Sequence, residues 1–173
     1  MRSIDLIVIH CSATRNGVAL GDKTRTAMQV IDGWHKQRGF KRAYGARVKL
    51  NPNLEAIGYH CVIDTGGYIG AGRDLAEIGA HAKGHNATSI GICCVGTDAY
   101  TLPQWASLAS LVASLSRKFP EARVVGHRDL SPDLDGDGTV EPQEWTKTCP
   151  GFDVATWLEG GMAPLADHLL ESA

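Results

Sequence analysis

The sequence has little net charge, and this limits the kinds of partner that it attracts. Its 17 basic and 19 acidic residues give a formal net charge of -2 and a pI near 6.4. Such a balance provides no overall electrostatic attraction to nucleic acid or to an anionic membrane surface. We therefore expect no nucleic-acid partner and expect any ligand to be recognised by a local site.

Long apolar runs are also missing. The first such run, IDLIVIH, covers only a few residues and ends at His10, so we interpret it as a core strand rather than a signal peptide. No apolar stretch is long enough to cross a bilayer, and we expect no membrane insertion. The five cysteines are odd in number and lie mostly in strand-like segments, which favours reduced, buried thiols over a disulfide framework.

No linker rich in Pro, Gly or Ser divides the 173 residues, so we predict one domain spanning 1–173. Short segments rich in Val and Ile predict strands at 4–10, 57–64, 68–71, 89–96 and 123–127. Apolar periodicity and capping residues predict helices at 26–38, at 102–118 and from Asp153 onward. The expected fold is α/β, with a mixed central β-sheet flanked by about three helices.

Two histidines and a cysteine are candidates for a metal site. His10 and His127 each end a predicted strand, and Cys149 follows in a loop, so one rim of the sheet can hold all three. Two imidazoles and one thiolate leave a fourth tetrahedral position open, which is typical of a catalytic zinc site. Their spacing along the chain is not a local metal signature, and ordinary core or surface histidines are the alternative.

Five successive segments resemble the signature blocks of one enzyme family. They are IVIHCSATR, GYHCVIDTGGYIGAGRD, IGAHAKGHNATSIGICCVG, GHRDLSPD and KTCPGFDVATW, which together span about residues 4 to 158. They are similar, in the same order, to blocks of the type 2 N-acetylmuramoyl-L-alanine amidases. That family includes short phage endolysins and peptidoglycan recognition proteins. The resemblance implies its α/β fold, peptidoglycan as the substrate, and hydrolysis of the lactyl-L-alanine amide bond.

The resemblance also implies roles for individual residues. Tyr59 matches the tyrosine beside the metal-bound water, and Lys147 matches the lysine that short phage amidases place by the scissile carbonyl. His81 and Asn86 lie in a loop that resembles the one along the substrate groove, so we expect them to contact substrate. The residues that fall where the family keeps its zinc ligands are His10, His127 and Cys149.

Three classes of function stay open. Recognition proteins of the family that lack catalysis typically lack the cysteine ligand, so Cys149 favours an enzyme over a binding-only peptidoglycan-recognition module. The third class is a cysteine hydrolase, with Cys149 as nucleophile and His127 as base. We expect a monomeric phage or prophage endolysin that is cytoplasmic until it is released to the cell wall.

An acidic segment at 133–144 resembles a calcium-binding loop inserted between two zinc ligands. It has acids at positions 1, 3, 5 and 12, Gly136 at position 6 and an apolar residue at position 8. The alternative is a metal-free acidic turn, because Pro132 and Pro142 fit a helix-loop-helix hand poorly. If calcium binds, we expect it to preorganise the zinc site. The calcium ligands predicted are Asp133, Asp135, Asp137, Thr139 and Glu144.

Basic residues cluster after the middle of the first predicted helix. We interpret this basic segment as a solvated face, and the alternative is a surface attracted to the anionic cell wall. Its members are His35, Lys36, Arg38, Lys41, Arg42, Arg47 and Lys49.

Overall fold

The computed structural model describes residues 2–170, and these form a five-stranded mixed sheet in the order β3-β2-β4-β1-β5. Strand β1 pairs in parallel with β4 and with β5, β4 pairs in parallel with β2, and only the β2–β3 pair is antiparallel. The strands are β1 (Leu6–Cys11), β2 (Cys61–Ile63), β3 (Ile69–Ala71), β4 (Ser89–Cys94) and β5 (Arg123–Gly126).

Helices cover both faces of the sheet, which is why the central strands are apolar on both sides. In β4, Ile90 and Ile92 pack with the helices α3 (Leu102–Lys118) and α4 (Val154–Glu159). Cys93 points to the other face, where it packs in the cluster that contains Ile31 of α1 (Ala27–Gln37). The predicted α/β architecture is therefore confirmed.

The helix starts follow from local capping. Thr101 and Gln104 form a reciprocal capping box at α3, and Thr26 and Gln29 form another at α1. The Asp153 side chain accepts a hydrogen bond from the backbone of Thr156 and caps α4. The three expected helices are present, and α2 (Tyr44–Arg47) is a further four-residue helix that lacks a side-chain cap. No helix within residues 2–170 is long and apolar enough to cross a membrane.

The segment before β2 is not the strand that the sequence predicts. Regular strand pairing begins only at Cys61, because the amides of Ile57 and Gly58 donate to side chains of α1 instead. The Gly58 amide donates to His35 Nδ1 at 2.9 Å, and its carbonyl accepts from the amide of Ala80 at 3.0 Å. A side chain at Gly58 would collide with the Ala80 carbonyl. This irregular segment carries Tyr59.

Part of the basic segment is buried, so its interpretation as a solvated face is wrong for His35 and Arg42. His35 is only 5% exposed, and Arg42 is 7% exposed. The Arg42 guanidinium pairs with Glu77 at 2.8 Å and donates to the carbonyls of Leu50 and Leu54. Arg42 thus links the residues around α2 to Glu77, which is 35 positions away in the sequence.

Candidate active site

The sheet brings His10 and His127 to the same edge. His10 lies near the end of β1, and His127 directly follows β5, whose last residue Gly126 is in register with Ile9. Because the two strands are parallel neighbours, their carboxyl ends meet, and the two imidazole centroids lie 4.4 Å apart.

Cys149 completes the group from the loop before α4. Its carbonyl accepts from the backbone of Arg128 at 2.8 Å, and its sulfur accepts from the Cys11 amide at 3.1 Å. One potential ligand atom from each of His10, His127 and Cys149 lies within 4.8 Å of the others. The Cys11 side chain and burial raise the pKa of the Cys149 thiol, although the Cys11 N–H group opposes this shift, so the thiolate that binds a metal depends on the charge of the metal ion itself.

This donor set fits zinc. With metal–nitrogen bonds of about 2.1 Å and a metal–sulfur bond of about 2.3 Å, tetrahedral ligand atoms lie roughly 3.5 Å apart. Separations of at most 4.8 Å therefore need only small side-chain adjustments. Two nitrogens and one sulfur also match the three-ligand pattern of catalytic zinc sites, which keep the fourth position open.

Both imidazoles are held in the neutral form that binds metals. Burial lowers the pKa of His10 well below its usual value, and nearby His81, His127 and Lys147 lower it further. Burial and the Lys147 charge also lower the pKa of His127 to about 4. The Lys147 ammonium is thus close enough to both rings to act on them electrostatically.

The three groups lie in a cleft of about 760 Å³, and Tyr59 and Lys147 both line it. The Tyr59 ring packs 5.1 Å from that of His10. Burial raises the pKa of the Tyr59 phenol well above its usual value, so the group is a hydrogen-bond donor at neutral pH and not a base. Lys147 is exposed at the rim.

His81 and Asn86 also line the cleft, but both have partners within the protein. The Asn86 side-chain oxygen accepts from the amides of His81 and Ala82. His81 Nδ1 lies 3.0 Å from His10 Nε2, and His81 Nε2 lies 3.2 Å from Ser89 Oγ. Contact with substrate stays a prediction for both residues.

A model of the N-acetylmuramoyl-L-alanine amidase family matches residues 1–152. The chain belongs to this amidase family. The resemblance inferred from the signature blocks is therefore confirmed. Among curated relatives, the endolysin of Escherichia phage T7 is 34% identical over 165 residues, which are 91% of this chain and 87% of the relative.

Solved structures agree with this membership. The N-acetylmuramoyl-L-alanine amidase LysC from Clostridium intestinale superposes with a TM-score of 0.65 at 25% identity, covering 93% of this chain and 86% of LysC. Drosophila PGRP-LB superposes with a TM-score of 0.60 at 23% identity, covering 87% of this chain and 76% of that one, which shows the shared fold.

The cleft is also lined by a histidine that the sequence analysis placed in the basic segment. His35 of α1 lines the cleft and packs 5.2 Å from the Tyr59 ring. Its Nδ1 accepts from the Gly58 amide at 2.9 Å, so in the neutral ring the proton is on Nε2. Its position among basic residues suggested a solvent-exposed side chain. Its place on the apolar face of α1, however, indicated that the side chain points inward.

The acidic segment brings together only some of its predicted calcium ligands. Carboxylate oxygens of Asp133, Asp135 and Asp137 lie within 4.8 Å of one another on the surface. Glu144 is 6% exposed, and its carboxylate is held by backbone amides of the same segment. One of its oxygens accepts from the Leu134 amide at 2.5 Å, and the other from the Glu141 amide at 3.0 Å. The Thr139 amide and hydroxyl donate to Asp137. Calcium binding stays a prediction.

Proposed function

We propose that this chain is a zinc-dependent N-acetylmuramoyl-L-alanine amidase that hydrolyses the lactyl-L-alanine amide bond of bacterial peptidoglycan. The observation that carries the proposal is the convergence of His10, His127 and Cys149 in the cleft. Family membership and the names of the relatives, an endolysin and an amidase among them, support the same substrate.

The proposed zinc ligands are His10, His127 and Cys149. When bound, zinc supplies Lewis-acid polarisation of the amide carbonyl and activation of water at neutral pH. The Lys147 ammonium stabilises negative charge on the carbonyl oxygen as the carbonyl carbon becomes tetrahedral. The Tyr59 phenol, which keeps its proton at neutral pH, donates a hydrogen bond to an oxygen at the reacting centre. The cleft walls orient the amide against these groups.

The test is digestion of purified peptidoglycan, measured as new lactyl groups on muramic acid and new free amino termini of alanine. We expect activity that is lost on zinc chelation, restored by added zinc, and abolished by Cys149→Ser. Cys61→Ser is the matched control, because Cys61 lies in β2 and outside the cleft lining. Lys147→Met should lower kcat by about 10²–10³-fold, the usual loss for one oxyanion-stabilising donor, while zinc stays bound.

Two other outcomes would replace the proposal. If the protein bound cell wall without hydrolysing it, and Cys149→Ser left this binding unchanged, the chain would be a recognition module. Hydrolysis that survives chelation but is abolished by thiol alkylation would assign a cysteine nucleophile.

The biological setting that we propose is that of a phage or prophage endolysin. The curated endolysins support it, because the chain is similar to the T7 protein over most of both lengths. On this proposal the protein acts as a monomer, is cytoplasmic until lysis, and then reaches the cell wall. Its sedimentation behaviour and its distribution in fractionated cells before and after lysis test these points.

A further inference from the structure

The ring of His10 is held through one of its two nitrogens. Its Nε2 lies 3.0 Å from His81 Nδ1, a hydrogen-bonding distance, and the two rings meet edge to face with centroids 5.0 Å apart. A nitrogen engaged in this way is not available to a metal. His10 therefore has its Nδ1 as the free ligand atom.

The proton in this contact decides whether Nδ1 can bind a metal. A neutral imidazole carries one proton, so if Nε2 holds it, Nδ1 has a free lone pair. His10 Nε2–H then donates to His81 Nδ1. The reverse arrangement, with His81 donating to His10, puts the His10 proton on Nδ1 and blocks the ligand atom.

The second nitrogen of His81 also has a partner. His81 Nε2 lies 3.2 Å from Ser89 Oγ, and Ser89 is fully buried in the first position of β4. When Nε2–H of His81 donates to this oxygen, His81 Nδ1 is the unprotonated nitrogen and accepts from His10. A chain of two hydrogen bonds thus runs from Ser89 through His81 to His10.

Two glycines of the surrounding backbone leave the space that the His81 ring occupies. A Cβ atom at Gly91 would lie 2.5 Å from His81 Cγ, and one at Gly79 would lie 2.5 Å from its Cδ2. Two glycines from different segments therefore flank the ring where another residue would displace it. Asn86 fixes the backbone at the same point by accepting from the amide of His81 at 2.8 Å.

We propose that His81 is a positioning residue, which accepts the Nε2 proton of His10 so that His10 Nδ1 faces the metal with a free lone pair. Outer hydrogen-bond partners of metal-bound histidines typically contribute 10–100-fold to metal affinity. This inference rests on the proposed function, since it requires zinc at His10. It assigns His81 a task inside the protein in addition to any contact with substrate.

The first measurement is the zinc affinity of the folded protein by competition with a chromogenic chelator. We expect His81→Ala to weaken zinc binding by about 10–100-fold. His81→Asn should recover most of the affinity, because its side-chain oxygen can accept near the position of Nδ1. The second measurement is nitrogen-15 NMR of the zinc-loaded protein, which should show the His10 proton on Nε2 and metal coordination at Nδ1.

His60→Ala is the matched control. His60 is also buried and lies 5.7 Å from the His81 ring, but its nitrogens bond to the Gly91 amide and the Glu77 carbonyl. We expect this variant to lose stability and to lose much less zinc affinity than His81→Ala, because the contact between His10 and His81 remains.

The outcomes separate the two proposals. If the wild type binds no zinc, the proposed function fails. If the wild type binds zinc and His81→Ala binds it equally well, or His10 coordinates through Nε2, only the positioning role is overturned. Equal losses in the His60 and His81 variants would also overturn it, because affinity would then follow general packing.

Discussion

Arg128 joins the two segments that carry His127 and Cys149, and its replacement by Met tests how much this link contributes. The Arg128 guanidinium lies 4.0 Å from the centre of the Trp145 ring and donates to Asp153 Oδ2 at 2.7 Å. The residue is 7% exposed. Methionine keeps an unbranched apolar chain in the same space but removes the planar charge.

The expected loss of stability comes mainly from the stacked contact. A desolvated cation–π pair contributes about 2 kcal/mol. The ion pair contributes less, about 0–1 kcal/mol, because the Asp153 side chain is 49% exposed and solvent screens it. We therefore expect Arg128→Met to lower the free energy of unfolding by roughly 2–3 kcal/mol.

Urea denaturation of the zinc-free protein measures this change, with Arg123→Met as the control because Arg123 is exposed at the start of β5, shortly before Arg128 in the chain. A double-mutant cycle with Trp145→Leu isolates the stacked pair, and we expect a coupling energy of about 1–2 kcal/mol. The variant should also bind zinc more weakly, since Trp145 is close in sequence to Cys149. A coupling energy below about 0.5 kcal/mol would refute the assignment of the stack as the link.

Two further predictions concern the acidic segment and a buried histidine. Calcium should raise the midpoint temperature of thermal unfolding of the wild type but not of Glu144→Gln. It should also raise the amidase activity of the wild type. Unchanged amidase rates in this variant and in chelator-treated wild type would contradict the hypothesis that calcium preorganises the zinc site. Burial lowers the pKa of His60 to about 4, whereas the unfolded chain has its usual value near 6.5. The unfolded state thus binds a proton at this residue that the folded state does not bind. The contribution of His60 to the free energy of unfolding is therefore fully present above pH 6.5 and falls by about 3 kcal/mol as the pH drops to 4. Zinc-free His60→Asn should show a smaller fall over this window, and an identical pH profile would contradict the assignment.

The sequence alone determined the features that depend on neighbouring residues. The capping box of Thr101 and Gln104 closes within one turn, so the start of α3 is predictable from four residues. The acidic segment is also predictable from local sequence. Its aspartates occur at every second position, so a tight loop brings their carboxylates together, and they are Asp133, Asp135 and Asp137. The signature blocks allowed the family to be recognised, because they occur in order along most of the chain.

Only the tertiary structure decided which distant groups meet. His10 and His127 are neighbours because β1 pairs in parallel with β5, and the sequence of either strand does not specify that pairing. His35 and His81 have hydrogen-bond partners from other segments, whereas their local sequence is typical of a basic helix end and a loop.

The side chains of Arg42 and Glu144 show the same limit. Each is charged and would be expected in solvent, yet each is buried because a distant or looped-back backbone supplies its hydrogen bonds. Hydrogen bonds within one turn follow from sequence spacing, but the partner of a buried polar group follows from the packing of the whole domain.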